Sequence, residues 1–145
     1  MNISYRRATE NNAAAIRGLL ESQKLPTETV GTPTTEFTLA FDRDAIVGVA
    51  GFEYYGNDAL LRSVAVPTSL QKKHIGSQLV DWMLSTAKKK GVKRIVLLTE
   101  TASKFFAKKG FVVVDRSSIT NEPMKKSSQF GGGCCSSAAC MKLDI

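Results

Sequence analysis

Histidine and tryptophan are almost missing from this chain: His74 and Trp82 are the single copies. Cysteine does not occur before Cys134, and the three present, Cys134, Cys135 and Cys140, fall in the last dozen residues. With no C-x-x-C pair and no Cys/His spacing suited to zinc, no metal site is expected. Neighbouring cysteines seldom bridge each other, because a disulfide needs opposed Cβ atoms, so reduced thiols are expected. Such thiols would suit only a soft ion or metalloid. No apolar run nears the ~20 residues of a membrane helix, which argues for a soluble protein with no membrane partner. The opening stretch, MNISYRRATENN, has no apolar core of a signal peptide, so a cytoplasmic location is expected.

What the chain does have is positive charge. Lys and Arg number 20 against 13 Asp and Glu, a net charge of +7. Nucleic acid, an anionic surface or a polyanionic small ligand would each account for it. No nucleic-acid motif and no repeat of stacking aromatics is present, so no nucleic-acid partner is expected. The 145 residues suffice for one core, and no repeat or linker divides residues 1–145, so one domain is expected.

Periodicity predicts the elements. Ile3 to Ala8 reads as a strand, followed by a helix capped by Thr9 and carrying Ala13, Ile16, Leu19 and Leu20 on one face. Leu25 to Thr34, with Pro26, Gly31 and Pro33, reads as a loop. Strands are predicted at Phe37 to Asp42, Ala45 to Tyr55 and Leu60 to Val66, with a hairpin loop at Asn57-Asp58. A helix then buries Ile75, Leu79, Met83 and Ala87 and stops at Gly91, with Lys88, Lys89 and Lys90 offsetting the dipole of its last turn. A strand at Lys93 to Thr99, a helix at Ala102 to Lys109 and a strand at Phe111 to Arg116 follow. Ser117 to Gly133 reads as a polar loop made flexible by Gly131-Gly132-Gly133, and Ala138 to Leu143 as an edge or penultimate strand.

Leu60 to Lys90 carries the chemistry. A strand stops at Pro67, and the turn Gln71-Lys72-Lys73-His74-Ile75-Gly76 opens directly into the helix. The first N–H groups of a helix lack intrahelical partners and carry the positive end of its dipole, so this turn suits a phosphorylated ligand. It is not a P-loop, which needs an upstream glycine and Gly-Lys, nor a dinucleotide G-x-G-x-x-G turn.

The turn resembles the pyrophosphate loop of the GCN5-related acetyltransferases (GNAT), Q/R-x-x-G-x-G/A, here Gln71-x-x-His74-x-Gly76. A second block of that family, N-x-x-A-x-x-F-Y-x-x-x-G-F, appears as Thr99 to Phe111 with Ala102, Phe105, Phe106, Gly110 and Phe111 in place. The resemblance implies an acyl-CoA N-acyltransferase fold: an α/β chain with a mixed, mostly antiparallel sheet and helices on both faces. A helix pair follows its first strand, and the strands Leu60–Val66 and Lys93–Thr99 splay apart. It implies acetyl-CoA as co-substrate, held by Val64, Ala65, Val66, Gln71, Lys72, Lys73, His74, Ile75, Gly76, Ser77 and Phe106, with the Val66 N–H facing the acetyl oxygen. The chain departs from the family at His74, where glycine is usual, at Thr99 for asparagine, and at Phe106 for a tyrosine often taken as general acid. Histidine tolerates a left-handed backbone better than most residues, so the cradle can persist. Ala59 to Ser63, Phe105-Phe106, Phe130, Ser137-Ala138 and Met141 further resemble the arsenic-resistance-associated N-acetyltransferases, although Gly131 to Cys135 departs from that subgroup's Cys-Pro.

Acetyl transfer to an amine needs a proton acceptor, a stabilised oxyanion and a thiolate able to leave. Glu53 is the only carboxylate in the apolar strand Gly48 to Tyr55 and is the expected base. With the loop at Asn57-Asp58 it falls opposite Arg62; a one-residue change of turn would set it opposite Leu60 or Leu61. Arg62 is expected to bind an anionic group of the substrate and, when paired with Glu53, to make it a weaker base. A structural ion pair is the competing reading of these two residues. Phe106 cannot donate to the leaving sulfur, so Thr99, which fills the family's polar slot, is the expected donor, with Thr101 or water as alternatives. The partner is thus a small-molecule amine, and a homodimer is compatible with the sequence. Competing functions are a CoA-binding module without catalysis and a basic nucleic-acid binder.

Overall fold

The computed structural model describes residues 2–131 and 138–145. Gly132, Gly133, Cys134, Cys135 and Ser137, about which the sequence raised expectations, lie outside the described residues. The elements are β1 (Ile3–Arg7), α1 (Ala13–Ser22), β2 (Glu36–Asp42), β3 (Ala45–Tyr55), β4 (Asp58–Ala65), α2 (Ile75–Lys89), β5 (Arg94–Thr99), α3 (Ser103–Lys108), β6 (Val112–Val114), α4 (Glu122–Lys125), α5 (Ser128–Gly131) and β7 (Ala139–Asp144). The seven strands are mostly antiparallel, in the order β1-β2-β3-β4-β5-β7-β6, which makes this a mixed α/β fold with β7 as the penultimate strand. No helix among the described residues is long and apolar enough to cross a membrane. Contacts group the chain into two units, residues 1–53 with 63–86, and residues 54–62 with 87–145.

In the first unit β1, β2 and β3 pair antiparallel, with a bulge in the β2–β3 ladder between Ala40 and Phe41. The alternation of Phe37, Leu39 and Phe41 turns these side chains toward Ile16 and Leu20 of α1, and Val30, Val49 and Ala65 complete the cluster. Thr38 and Ala40, the intervening residues, are buried as well, so β2 is covered on both faces. A short 3-10 turn, Glu10–Asn12, precedes α1, and Asn12 Oδ1 accepts from the Thr9 N–H at 2.9 Å. The helix pair implied by the resemblance is a single helix here: Pro26, Pro33 and a left-handed Gly31 (φ +83°) hold residues 27–35 in turns. Arg17 ties them back to α1 by donating to the Val30 carbonyl at 3.1 Å. Trp82 of α2 stacks on Tyr5 of β1, centroids 4.6 Å apart.

In the second unit β4 and β5 run parallel over three residue pairs, from Asp58↔Arg94 to Leu60↔Val96. That ladder ends there although β5 continues to Thr99 and β4 to Ala65. Beyond it β5 pairs antiparallel with β7, and β7 with β6. The turn before β4 is Gly56-Asn57, one residue earlier than expected. Gly56 has φ +69°, and a two-residue hairpin of type II′ demands that backbone at its first central position, where glycine meets no Cβ penalty. The register argued from the later turn therefore loses its premise.

The polar loop expected at Ser117 to Gly133 instead holds a 3-10 turn at Arg116–Ser118 and the helices α4 and α5. The Asn121 side chain caps α4 by accepting from the Met124 N–H at 3.1 Å, while its amide donates to the Tyr55 carbonyl at 2.8 Å and to Asp58 Oδ2 at 3.1 Å. Ile119, Met124 and Phe130 thereby join Leu60, Val96 and Cys140 in the core of this unit. The sixth strand is shorter than expected, Val112–Val114. At the end of α2, Gly91 has φ +82° and the Val92 N–H reaches the Ala87 carbonyl at 3.1 Å, the hydrogen bond of a Schellman stop.

Candidate functional site

Five non-glycine residues among those described have a left-handed backbone, and three of them, Ser63, Lys72 and His74, lie on the way into α2. Each such residue costs on the order of 1–3 kcal/mol, and conformations of this kind concentrate at active sites, ligand clamps and switch regions. His74 (φ +64°) adopts the conformation the family's glycine would, and Lys72 (φ +70°) does so without a signal in the sequence. The His74 carbonyl accepts from the Gln78 N–H at 3.1 Å, so helical bonding begins at His74. The N–H groups of Ile75 and Gly76 fall within the first turn, at the positive end of the helix dipole. Gln71, Lys72, Lys73 and His74 are exposed, while Ile75 is buried and anchors the helix start. A Cβ built on Gly76 would meet only Val66 Cγ2, at 3.7 Å, which is ordinary contact. These features suit a diphosphate: exposed donors, two lysines and a close backbone approach.

The strand leading to this turn is itself bent. Ser63 (φ +59°) is left-handed inside β4, which breaks the regular pleat just ahead of Val64, Ala65 and Val66. Gln71 Nε2 donates to the Val66 carbonyl at 3.1 Å and to Gln23 Oε1 at 3.0 Å, and Gln23 Nε2 donates to Thr68 Oγ1 at 3.2 Å. Gln71 thus braces the turn against the strand end and the C-terminus of α1. Gln23 carries no signal in the sequence, and nothing in the stretch Ala59 to Ser63 announces the left-handed backbone of Ser63, since contacts and dihedrals are not encoded by a residue type.

Glu53 is 1% exposed. The Thr35 hydroxyl lies 3.3 Å from Glu53 Oε2 and 2.9 Å from Thr29 Oγ1, and both threonines are buried. Gly51 makes the space: a Cβ there would stand 2.6 Å from Thr35 Cγ2. In the second unit Arg62 is 3% exposed and donates from Nη1 to Ser128 Oγ at 3.2 Å. Thr99 Oγ1 accepts from the Ala102 N–H at 3.0 Å, which caps the turn into α3 and leaves the hydroxyl proton to be donated elsewhere. Phe106 is buried between Phe105 and Phe111, with edge-on centroid distances of 5.1 and 5.6 Å.

Against known proteins, residues 33–113, over half of the chain, match a family model described as an acetyltransferase (GNAT) domain. No protein of curated function matches significantly. Among solved structures, Rv2747 from Mycobacterium tuberculosis, in complex with CoA and NLQ, superposes with a TM-score of 0.80 at 24% identity, covering 98% of this chain and 99% of its own. N-acetylglutamate synthase from Neisseria gonorrhoeae, complexed with coenzyme A and N-acetyl-glutamate, gives 0.80 at 18% identity over 100% of this chain but 35% of its own, so this chain spans about a third of that enzyme. The PaiA N-acetyltransferase from Thermoplasma acidophilum, in complex with coenzyme A, gives 0.72 at 18% identity over 100% of both chains. These structures share the fold.

Proposed function

The chain belongs to the acetyltransferase (GNAT) family, acyl-CoA-dependent N-acetyltransferases with acetyl-CoA as co-substrate, and from that premise we propose that residues 1–145 form one domain that acetylates a small, anionic, amino-acid-like amine by direct attack. The observation that carries this reading is the left-handed backbone of Lys72 and His74 at the start of α2. Such a backbone would let the turn keep the shape of the family's phosphate cradle with His74 at its first glycine position.

Gln71 to Ser77 would hold the diphosphate, and Val64, Ala65 and Val66 would pair with the pantetheine amides as an added strand does. Phe106 supplies an apolar wall. Bound acetyl-CoA supplies the acetyl thioester, whose carbonyl carbon forms the C–N bond as its C–S bond breaks. Glu53, through water, takes the proton that the ammonium must lose before nitrogen can attack. The Thr99 hydroxyl donates a hydrogen bond to the departing sulfur, and the second amine proton ends on that sulfur as free thiol. A thiol's pKa is about 8.5, so the thiolate leaves without a strong acid, and a phenylalanine in place of tyrosine is tolerable. Arg62 binds the anionic group of the acceptor.

Two likenesses support an amino-acid-like acceptor and a role in detoxification such as arsenic resistance. One is to the N-acetylglutamate synthase fold, solved with N-acetyl-glutamate; the other is to the arsenic-associated subgroup in Ala59 to Ser63. A cytoplasmic setting agrees with both. The test is release of free thiol from acetyl-CoA across a panel of amino acids and neutral amines. Turnover with carboxylate-bearing amines above the neutral ones is expected. Binding of acetyl-CoA with no turnover for any amine would favour the alternative, a CoA-binding module without catalysis.

A further inference from the structure

Thr35 ends the turns that follow α1, and its hydroxyl touches two groups at once. It lies 3.3 Å from Glu53 Oε2 and 2.9 Å from Thr29 Oγ1, all three side chains being buried. A hydroxyl carries one proton, so Thr35 can satisfy only one of these neighbours as donor. When Glu53 is a carboxylate, which only accepts, Thr35 donates to it and Thr29 donates to Thr35. When Glu53 holds a proton on Oε2, the same chain can run backwards, from Glu53 to Thr35 to Thr29. The pair therefore accommodates both protonation states without moving a heavy atom.

The seat for this chain is cut to size. At Gly51 a Cβ would stand 2.6 Å from Thr35 Cγ2 and 3.2 Å from the Phe37 ring. Gly51 lies in β3 two residues before Glu53, so it and Glu53 project to the same side of the strand. Any side chain at position 51 would push Thr35 off the carboxylate.

We propose that Thr35 is a positioning residue for Glu53, that Thr29 is its proton-exchanging partner, and that Gly51 keeps the seat open. This rests on the reading of Glu53 as the base. A hydrogen bond to a buried carboxylate favours its charged form, and it also fixes which oxygen faces the acceptor amine.

The experiment is steady-state kinetics against pH, with the amine chosen from the panel above. Thr35→Val keeps the shape and removes the hydroxyl. It lowers kcat about tenfold and moves the acid limb of the kcat/KM profile up by about one pH unit, with KM for acetyl-CoA unchanged. Thr35→Ser restores both. Thr29→Val, which leaves Thr35 in place, moves the same limb by less. Gly51→Ala reproduces the Thr35→Val profile, and Gly51→Ala combined with Thr35→Ser recovers activity, because serine lacks the methyl that collides. A wild-type profile in both Thr35→Val and Thr29→Val, alongside a crippled Glu53→Gln, overturns the positioning role alone. A wild-type profile in Glu53→Gln overturns the base, and the positioning role falls with it. Should Thr35→Val fail to fold, Thr29→Val and the Gly51→Ala pair decide the matter by the same limb.

Discussion

At the scale of single residues, the fold buries the two charges proposed to act on the acceptor amine. Glutamate and arginine are seldom buried this deeply, and Glu53 and Arg62 are 1% and 3% exposed. Each has a hydroxyl against it, Thr35 in one case and Ser128 in the other. If Glu53 takes the amine proton, Glu53→Gln lowers kcat by about 100-fold or more while KM for the amine moves little. Arg62→Ala raises KM for a carboxylate-bearing amine and leaves that for a neutral amine nearly unchanged. Both variants need melting curves beside the kinetics, because stripping a partner from a buried charge costs about 3–5 kcal/mol. Full activity with an unchanged pH profile in Glu53→Gln would leave it a structural residue, with solvent taking the proton. Both residues were legible from sequence as charges inside apolar strands. Thr29, Thr35 and Ser128 were not, since a threonine in a turn is ordinary and its partner lies up to 18 positions away in Thr35 and 66 in Ser128.

Elements show where pattern suffices and where it fails. Strand β2 follows from its alternation, β3 to β5 from short apolar runs bounded by turns, and helix α2 from its period of 3.6. The helices α4 and α5 are four residues each, too short for any period to register. The cap of α4 was nonetheless written as Asn121 with Pro123 in the first turn. The Gly56-Asn57 turn was misplaced by one because asparagine followed by aspartate looks as good a turn as glycine followed by asparagine, and only the left-handed backbone at Gly56 decides between them. The phosphate turn tests an element as a whole. Gly76 has room for a Cβ, so Gly76→Asp should fold with a melting temperature close to that of the parent. If the donors of this turn hold the phosphates, its carboxylate would stand among them, and acetyl-CoA should then no longer raise the melting temperature. An undiminished rise, measured by thermal shift at saturating acetyl-CoA, would place the phosphates elsewhere. His74→Gly carries the opposite expectation: it removes a Cβ from a left-handed position and should stabilise the protein by a few tenths to about 1 kcal/mol without weakening the cradle. Lys72→Gly should stabilise it likewise but weaken acetyl-CoA binding, because one of the cradle's two lysines is lost.

For the molecule as a whole, pH exposes a property shared by both units. In the second, burial pushes the Cys140 thiol above its ordinary value, and the nearby Arg116 only partly offsets this. In the first, burial first and then the Asp81 carboxylate push the Tyr5 phenol up. Both groups are neutral when protonated, and both lose protons less readily folded than unfolded. Below the thiol's unfolded value, about 8.5, neither state ionises Cys140 and its contribution is fully present. As pH rises past that point the unfolded chain releases the proton while the folded chain retains it, so stability falls until the folded value is passed. Tyr5 repeats the loss from about pH 10 upward. The melting temperature should therefore decline on the alkaline side in two stages. Cys140→Ala should flatten the first stage, allowing for a lower plateau because the side chain packs among Leu60, Val96 and Met124. Tyr5→Phe should flatten the second while keeping the stack on Trp82. Titrating melting temperature from pH 7 to 11 in the parent and the two variants separates these stages. A first stage that persists unchanged in Cys140→Ala would mean that the thiol is not the group whose ionisation the fold resists.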